Sequence, residues 1–364
     1  MARTPEETLR LTLALVAPGT ELRDGLERIL RGRTGALLVL GMDRLVESLS
    51  TGGFDIGIDF SPTRLRELAK MDGAIVVDKD VTQIHKAGVQ LVPDSAIPTS
   101  ESGTRHRTAE RVAVQTGHPV ITVSASMQII AIYVGGIRHQ LEGSESILAR
   151  ATQALATLER YRQRLDQVTI TLSNQEIEDT ATVRDVVQVL QRQEMVRRIS
   201  EEISQYVLEL GTDGRLVALQ LEELAIKSGN EPEVVLRDYA EAAYTAGSSE
   251  TPLDVEAALA VFSELSAAEL VDLTRLARLL GFNGGPEVLD RAVQPQGFRL
   301  LAGLTNLPRA VVERVVSQFG GLQQLMAASI EDLRAVEGIG DQRARTVREG
   351  LGRFAEDSLL ERYR

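Results

Sequence analysis

The sequence predicts an α/β domain, a mixed sheet covered by helices, followed by an all-α stalk and a smaller all-α module at the C-terminal end. Three observations carry this. Over residues 1–145 short apolar runs alternate with amphipathic stretches, as strands and helices do when they share one sheet. From Ser146 the texture changes: proline is absent between Pro119 and Pro232, and glycine is rare between Gly143 and Gly211, a composition that suits long helices. Residues 291–364 then hold a pseudo-repeat of helix, short turn, helix. The domain boundaries expected are 1–145, 146–290 and 291–364.

Residues 5–31 read as two helices separated by Ala17-Pro-Gly19, with Thr20 capping the second. Gly35–Gly41, GALLVLG, is an apolar run bounded by glycines, which argues for a strand buried on both faces. Phe54–Phe60 is a further strand. Ser61-Pro62 starts a helix whose apolar residues Leu65, Leu68, Ala69 and Met71 lead to Asp72 and the strand Ala74–Val77. Thr82–Val92 is a strand that Pro93 ends. In TRHRTAERVAVQTG, Ala109, Val112 and Ala113 fall at i, i+3 and i+4, which predicts a helix capped by Thr104 and ending near Gly117.

Residues 119–137 lack any charge and reach membrane-spanning length. They are rich in Ile, Val, Thr and Tyr, and Ser124-Ala-Ser126 and Gly135-Gly136 break them, so two buried strands joined by a turn are expected and no membrane span. In Glu176–Leu210, Val189, Val196, Ile199, Ile203, Tyr206 and Leu210 recur at helical spacing. Such a helix would run about 50 Å at ~1.5 Å per residue, a spacer or oligomerisation stalk. Further helices reach Gly281, with a break at Ala246–Glu250 and a linker at Asn283–Pro286.

The formal charge of −12 is unevenly placed: residues 1–149 carry 16 Lys+Arg against 18 Asp+Glu, residues 150–290 carry 13 against 25, and residues 291–364 carry 11 against 9. The acidic middle is a poor nucleic-acid surface; the last segment is net positive and its basic residues are all arginine. With no cysteine, disulfides, thiolate zinc sites and iron–sulfur clusters are excluded, which fits a reducing cytoplasm. Leu11–Ala17 is too short, and too closely preceded by Glu6 and Glu7, for a signal peptide. Four histidines without a His-Glu-x-x-His pattern leave a hard cation held by oxygen ligands as the metal to expect.

Two short stretches carry candidate chemistry. In Thr104-Arg-His-Arg-Thr108, Arg105, His106 and Arg107 occupy the first turn of a helix, where free N–H groups and the dipole favour an anion. Cationic side chains there oppose the dipole unless an anion is bound, and the planar fork of arginine matches phosphate oxygens; the alternative is that both arginines are simply solvated. Asp72-Gly73 stands at a helix-to-strand turn, a place where a catalytic or metal-binding carboxylate is presented, although a plain turn aspartate has the same sequence. No Gly-Lys pair occurs, so a P-loop is excluded.

In the last segment, Pro308 of Leu304-Thr-Asn-Leu-Pro308 takes the first position of a helix. Glu337-Gly-Ile-Gly-Asp341 opens another, with a core face of Ala344, Val347 and Leu351. Gly338 and Gly340 allow close backbone approach, so successive N–H groups can grip a DNA phosphate without reading sequence, with Arg343, Arg345 and Arg348 nearby.

FSPTRLRELAKMDGAIVVD, LVPDSAIPTSESGTRHRTAERVAVQTG and VAPGTELRDGLERILRGRTGALLVLG resemble the diadenylate cyclase domain of the DNA integrity scanning family. NLPRAVVERVVSQFGGL and VEGIGDQRARTVREGL resemble the helix-hairpin-helix module of that family, and the order of parts agrees along the chain. The resemblance implies a cyclase that joins two ATP into cyclic di-AMP with release of two pyrophosphates, each 3′-hydroxyl attacking the α-phosphate of the other ATP. Two such domains must then face each other, and the family suggests an octamer. It also implies branched DNA as a partner that inhibits, and Mg²⁺ or Mn²⁺ as the cofactor.

Carried onto this chain, the resemblance places Asp72 by the 3′-hydroxyl as base or metal ligand. Thr104, Arg105, His106, Arg107 and Thr108 bind the triphosphate, with Arg105 and Arg107 offsetting charge on the leaving pyrophosphate. Gly73 gives backbone access, Leu91 lines the adenine or ribose pocket, and Ser124 faces phosphate or metal. His106 as a satisfied structural histidine is the other reading. Ala125-Ser-Met127 departs from the family, where two arginines are common after this strand, and Arg66 replaces a common aromatic residue. A branched-DNA-binding protein that holds ATP or a cyclic dinucleotide as effector, without turnover, is the alternative function; a structural oligomer stapled by nucleotide is a third.

Overall fold

The computed structural model describes residues 3–225, 232–304 and 307–361. They form two compact units, Met1–Gln153 with Ile203–Gln220, and Ala154–Glu202 with Leu221–Arg364.

The first unit is the expected mixed sheet with helices. Helix α1 (Pro5–Leu15) begins in a capping box between Thr4 and Glu7, and α2 (Glu21–Arg31) is capped by Thr20. There follow β1 (Ala36–Leu40), α3 (Arg44–Leu49), β2 (Ser50–Thr51), β3 (Phe54–Asp59) and α4 (Pro62–Leu68), which starts on the Ser61 hydroxyl. Strands β4 (Ala74–Val77) and β5 (Gln83–Leu91), helix α5 (Thr104–Thr116), and strands β6 (Val120–Ser124), β7 (Ile129–Val134) and β8 (Ile137–Gln140) complete it. The sheet order is β2-β5-β4-β1-β6-β7-β8, with β3 also on β5. Only β1 and β4 pair in parallel among the described strands.

Strand β1 shows why its sequence has no polar position. Leu38 and Leu40 join Leu26, Ile29 and Leu65 of α2 and α4 on one face; Leu37 and Val39 join Ala109, Val112 and Ala113 of α5 on the other. Each such side chain contributes ~1.5–3 kcal/mol by burial, so the strand ties two helical layers to one sheet. Helix α5 therefore lies on the face opposite α2 and α4.

The cap of α5 differs from expectation. Gly103 is extended and is the N-cap, whereas Thr104 is already helical and makes no capping bond. A capping side chain must come from a residue outside the helix, so the threonine hydroxyl stands one position too late. Gly117, at φ 71°, ends the helix as expected. Strand β8 lies beyond the predicted pair of strands and follows Gly135 and Gly136, both at positive φ (50° and 89°) in a tight hairpin.

The continuous helix expected over Glu176–Leu210 is two helices. Helix α6 (Ser144–Ile177) ends and α7 (Val183–Leu210) begins anew. Asp179 takes φ 56°, and the backbone N–H of Thr182 donates to Asp185 at 2.9 Å, an N-terminal signature that restarts the helix. At ~1.5 Å per residue α7 is about 42 Å long rather than about 50 Å.

Helices α8 (Arg215–Ala225), α9 (Pro232–Asp238), α10 (Ala242–Thr245), α11 (Val255–Glu264), α12 (Ala267–Val271), α13 (Leu273–Leu279) and α14 (Phe298–Ala302) follow. In the second unit Arg299 of α14 and Glu176 of α6 form a buried ion pair, their side chains 2% and 0% exposed, and Tyr239 donates to Glu176 at 2.6 Å. Asp238 accepts from the N–H groups of Phe298 and Arg299 at 2.9 and 3.0 Å and thereby holds the start of α14. Burial first, and the Glu176 charge second, push Asp238 up to about 7.

The C-terminal helices are α15 (Arg309–Phe319), α16 (Leu322–Ala327), α17 (Ile330–Arg334) and α18 (Asp341–Glu361). Pro308 is the N-cap of α15 rather than its first residue, because the helix starts one position later, at Arg309. Thr305 and Asn306 of the expected first turn lie outside the described residues. Ala344, Val347 and Leu351 are fully buried against Val315, Leu325 and Leu333, the core face the sequence predicts. Among the described residues no helix is long and apolar enough to cross a membrane.

Candidate functional site

Asp72 lies in the turn between α4 and β4, exposed, with no hydrogen-bond or ionic partner among the described residues. Helix α4 stops at Leu68, earlier than the apolar spacing through Met71 suggests, so three residues of turn present the carboxylate. Gly73 has φ 110°, and a Cβ there would stand 2.6 Å from the Gly88 carbonyl carbon and 2.9 Å from the Val89 nitrogen. Its first duty is therefore to let β5 pass close by. Gly88, at φ 65°, lies where the β4–β5 register shifts, beside the Ala74–Val89 pair.

The head of α5 carries Arg105, His106 and Arg107 in its first turn, as expected. Arg105 and Arg107 are exposed. The guanidinium of Arg105 rests on Gly35 at the start of β1, where a Cβ would lie 2.8 Å from its Cζ. Arg107 folds back toward its own loop, Nη2 donating to the Ser102 carbonyl at 3.3 Å. Thr104 is exposed and Thr108 half-buried. The free N–H groups of the first turn remain as donors.

His106 is buried, 7% exposed, and sits in a polar chain. Its Nδ1 is 2.9 Å from the Tyr133 hydroxyl and 3.1 Å from Thr122 Oγ1. Tyr133 donates to Glu101 Oε1 at 2.9 Å, and Arg138 pairs with that oxygen at 2.8 Å. Burial lowers the His106 pKa, Glu101 opposes the shift, and Arg138 and Arg105 add to it. Burial and the Glu101 bond push the Tyr133 hydroxyl up to about 12. The structure thus gives His106 the satisfied, buried setting that the sequence left as one of two readings. Glu101, Tyr133 and Arg138 were not legible as site residues, since Glu101 and Tyr133 are 32 positions apart.

Leu91 is 8% exposed, its side chain among the core residues under α5 and its backbone paired with Ser50. Ser124 ends β6; its hydroxyl accepts from the Met127 N–H at 3.4 Å and meets Ser126 Oγ at 3.3 Å, so it braces the β6–β7 turn. Among the described residues no group of three or more His, Asp or Glu is placed to hold a metal. A lone exposed carboxylate such as Asp72 fits the way Mg²⁺ is held, by one or two carboxylates with substrate phosphates and water.

In the C-terminal module Gly338 has φ 86°, and a Cβ there would lie 2.5 Å from Nη2 of Arg314, a residue of α15 that the sequence reading did not single out. Nothing lies within 4 Å of a Cβ placed on Gly340. Arg343 donates to the Gly338 carbonyl at 2.9 Å, Arg348 donates to the Met326 carbonyl at the end of α16 at 2.7 Å, and Arg345 is exposed. Arg314, Arg334, Arg343, Arg345 and Arg348 are all exposed around this turn, with Arg334 paired to Asp341 at 2.7 Å and Arg348 fastening α16.

The exposed Asp72 turn and the arginine-bearing head of α5 belong to one sheet unit, for which comparisons with known proteins give a family. Residues 23–138 match the family described as "DisA bacterial checkpoint controller nucleotide-binding", and residues 141–289 match the "DisA bacterial checkpoint controller linker region". The protein is a diadenylate cyclase, a nucleotidyltransferase. It is 65% identical to the DNA integrity scanning protein DisA of Kineococcus radiotolerans over 99% of both chains. It is 60% identical to that of Frankia alni over 100% of both, and 59% to that of Streptomyces coelicolor over 98% of this chain and 94% of the other. The chain belongs to the DNA integrity scanning (DisA) family.

Proposed function

We propose that this cyclase condenses two ATP into cyclic di-AMP at paired sites, and that its C-terminal segment binds branched DNA and thereby regulates it. The observation that carries the reading is the exposed Asp72 carboxylate, unpartnered among the described residues, in a turn of the sheet that also carries α5. Asp72 takes the proton of the 3′-hydroxyl, whose oxygen forms a bond to the α-phosphorus of the other ATP as the bond to pyrophosphate breaks. Arg105, Arg107 and the first-turn N–H groups hold the triphosphate and offset the charge of the departing pyrophosphate. Thr104 and Thr108 line the same phosphates, Gly73 and Leu91 bring backbone beside the nucleoside, and Ser124 supports the site through the β6–β7 turn. In its alternative role Asp72 would instead hold a divalent ion, Mg²⁺ or Mn²⁺, which when bound would supply positive charge beside the phosphates.

Because each reaction joins two ATP, two cyclase domains face each other, which calls for an even oligomer such as an octamer. The functional division is residues 1–145 for catalysis, 146–290 as a helical spine and 291–364, as paired helix-hairpin-helix units, for DNA. Gly338, Gly340, Arg314, Arg343 and Arg345 contact phosphate without reading bases, with Arg348 beside them. A bacterial cytosolic, nucleoid-associated setting follows from these partners. Incubation of the purified protein with ATP and either ion, followed by chromatography, tests the reading. Cyclic di-AMP and pyrophosphate are expected; ATP bound but intact would mean that the nucleotide is an effector and the chain a DNA-binding protein.

A further inference from the structure

We propose that Glu101 and Tyr133 act as positioning residues for His106: they fix its imidazole with the proton on Nδ1, so that Nε2 is a hydrogen-bond acceptor at the head of α5. The inference rests on hydrogen-bond arithmetic across three elements. Glu101 Oε1 receives both the Tyr133 hydroxyl at 2.9 Å and Arg138 at 2.8 Å. An ionised carboxylate only accepts, so the single proton of Tyr133 is committed to Glu101. The phenol oxygen lies 2.9 Å from Nδ1 of His106. With its own proton pointing elsewhere, that oxygen can only accept, and Nδ1 must donate.

Thr122 Oγ1, 3.1 Å from the same Nδ1, completes the case. Were Thr122 the donor to a bare Nδ1, two lone pairs, those of Nδ1 and of the Tyr133 oxygen, would face each other at 2.9 Å with no proton between them, in a buried site where bulk water does not relieve the repulsion. Thr122 is instead a second acceptor of a shared Nδ1–H; its own hydroxyl proton then has no other partner among the described residues, a smaller cost than two lone pairs opposed across the shorter 2.9 Å contact. A doubly protonated ring would meet the same two contacts, and the Glu101 charge favours it, but burial, the largest effect, together with the charges of Arg138 and Arg105 opposes it. The neutral ring with Nδ1–H remains.

The consequence concerns what His106 can do beside two arginines. An Nε2 lone pair repels a phosphate oxygen and accepts from a donor: a ribose hydroxyl, or a water held by a bound cation. The Cδ2 edge of the ring, next to Nε2, faces the N-cap, since a Cβ on Gly103 would lie 3.5 Å from Cδ2. Glu101 also sits in the loop whose next carbonyl, that of Ser102, receives Arg107.

This inference builds on the proposed phosphate site, but its test does not depend on turnover. Solid-state NMR of the full-length protein labelled with ¹⁵N-histidine, with the His106 signals identified by His106→Gln, reads the tautomer directly. The expected result is a pyrrole-like Nδ1 and a pyridine-like Nε2. Thr122→Val is expected to keep that pattern, whereas Tyr133→Phe removes the acceptor, lets Thr122 donate and exchanges the two shifts. A wild-type ring with the proton on Nε2, or an imidazolium, would overturn the inference and leave the cyclase reading untouched. A Tyr133→Phe protein whose shifts match the wild type would overturn it as well, because a merely structural Tyr133 would not set the tautomer.

Discussion

Gly73 offers the sharpest separation of packing from chemistry at the site. Its φ of 110° is strained for any L side chain, at ~1–3 kcal/mol. A Cβ would also meet main-chain atoms of Gly88 and Val89 at 2.6 and 2.9 Å, and backbone cannot swing aside as a side chain does. Overpacking of this kind adds ~1–3 kcal/mol. Gly73→Ala should therefore destabilise the sheet unit by roughly 2–6 kcal/mol, which for a unit of this size lowers the melting temperature on the order of 10 °C. Differential scanning calorimetry of the two proteins, beside a cyclase assay below either transition, is the measurement. Stability and turnover are expected to fall together, since β5 moves and Asp72 with it. A variant that melts within about 1 °C of the wild type but no longer binds ATP would refute the packing argument and give Gly73 to the nucleotide.

Three further outcomes follow from the second unit. Arg299→Met leaves the fully buried Glu176 carboxylate unpaired and should cost ~3–5 kcal/mol in denaturant unfolding; a loss below ~1 kcal/mol would mean the pair is not buried in solution. Asp238 titrates near 7 when folded and near 3.8 otherwise, so between these values the folded state holds the extra proton. Its contribution to stability is present at acid pH and is lost as pH rises from about 4 to about 7, and a melting temperature of this unit that rises over that range in wild type but not in Asp238→Asn would contradict the shift. Arg345→Ala should weaken DNA retention and lower the slope of log affinity against log salt by about one; an unchanged slope removes Arg345 from the interface.

Local signals carried most of the fold. The glycine-bounded run 35–41, the Thr20 and Ser61 caps and the Gly117 terminus each act within a few residues, and each appears where the sequence places it. Two errors were also local and legible. Thr182 with Asp185 is a helix start inside a stretch whose apolar spacing alone suggested one helix, and Gly135-Gly136 marks the hairpin to β8. Thr104 failed as a cap because side-chain chemistry does not show where the backbone turns helical.

The site was legible only where a motif sits on one element. Asp72 and the arginines of α5 are visible as residue types at a helix-to-strand turn and at a helix start. Glu101, Tyr133, Thr122 and Arg138 come from the loop before α5 and from β6, β7 and β8, and only strand pairing brings them to His106. Likewise Arg314 reaches Gly338 from another helix, which no spacing within either segment reveals.

The most direct test of the central claim is Asp72→Asn beside the wild type, incubated with ATP and Mg²⁺ or Mn²⁺, with pyrophosphate and nucleotide product followed by chromatography. Asp72 is exposed and unpartnered among the described residues, so the substitution should change stability by no more than ~0.5 kcal/mol. Formation of cyclic di-AMP should nonetheless fall by about 10²–10⁴-fold. An equally stable Asp72→Asn protein that still makes cyclic di-AMP at the wild-type rate would contradict the account, because the carboxylate on which the reaction is built would then take no part in it.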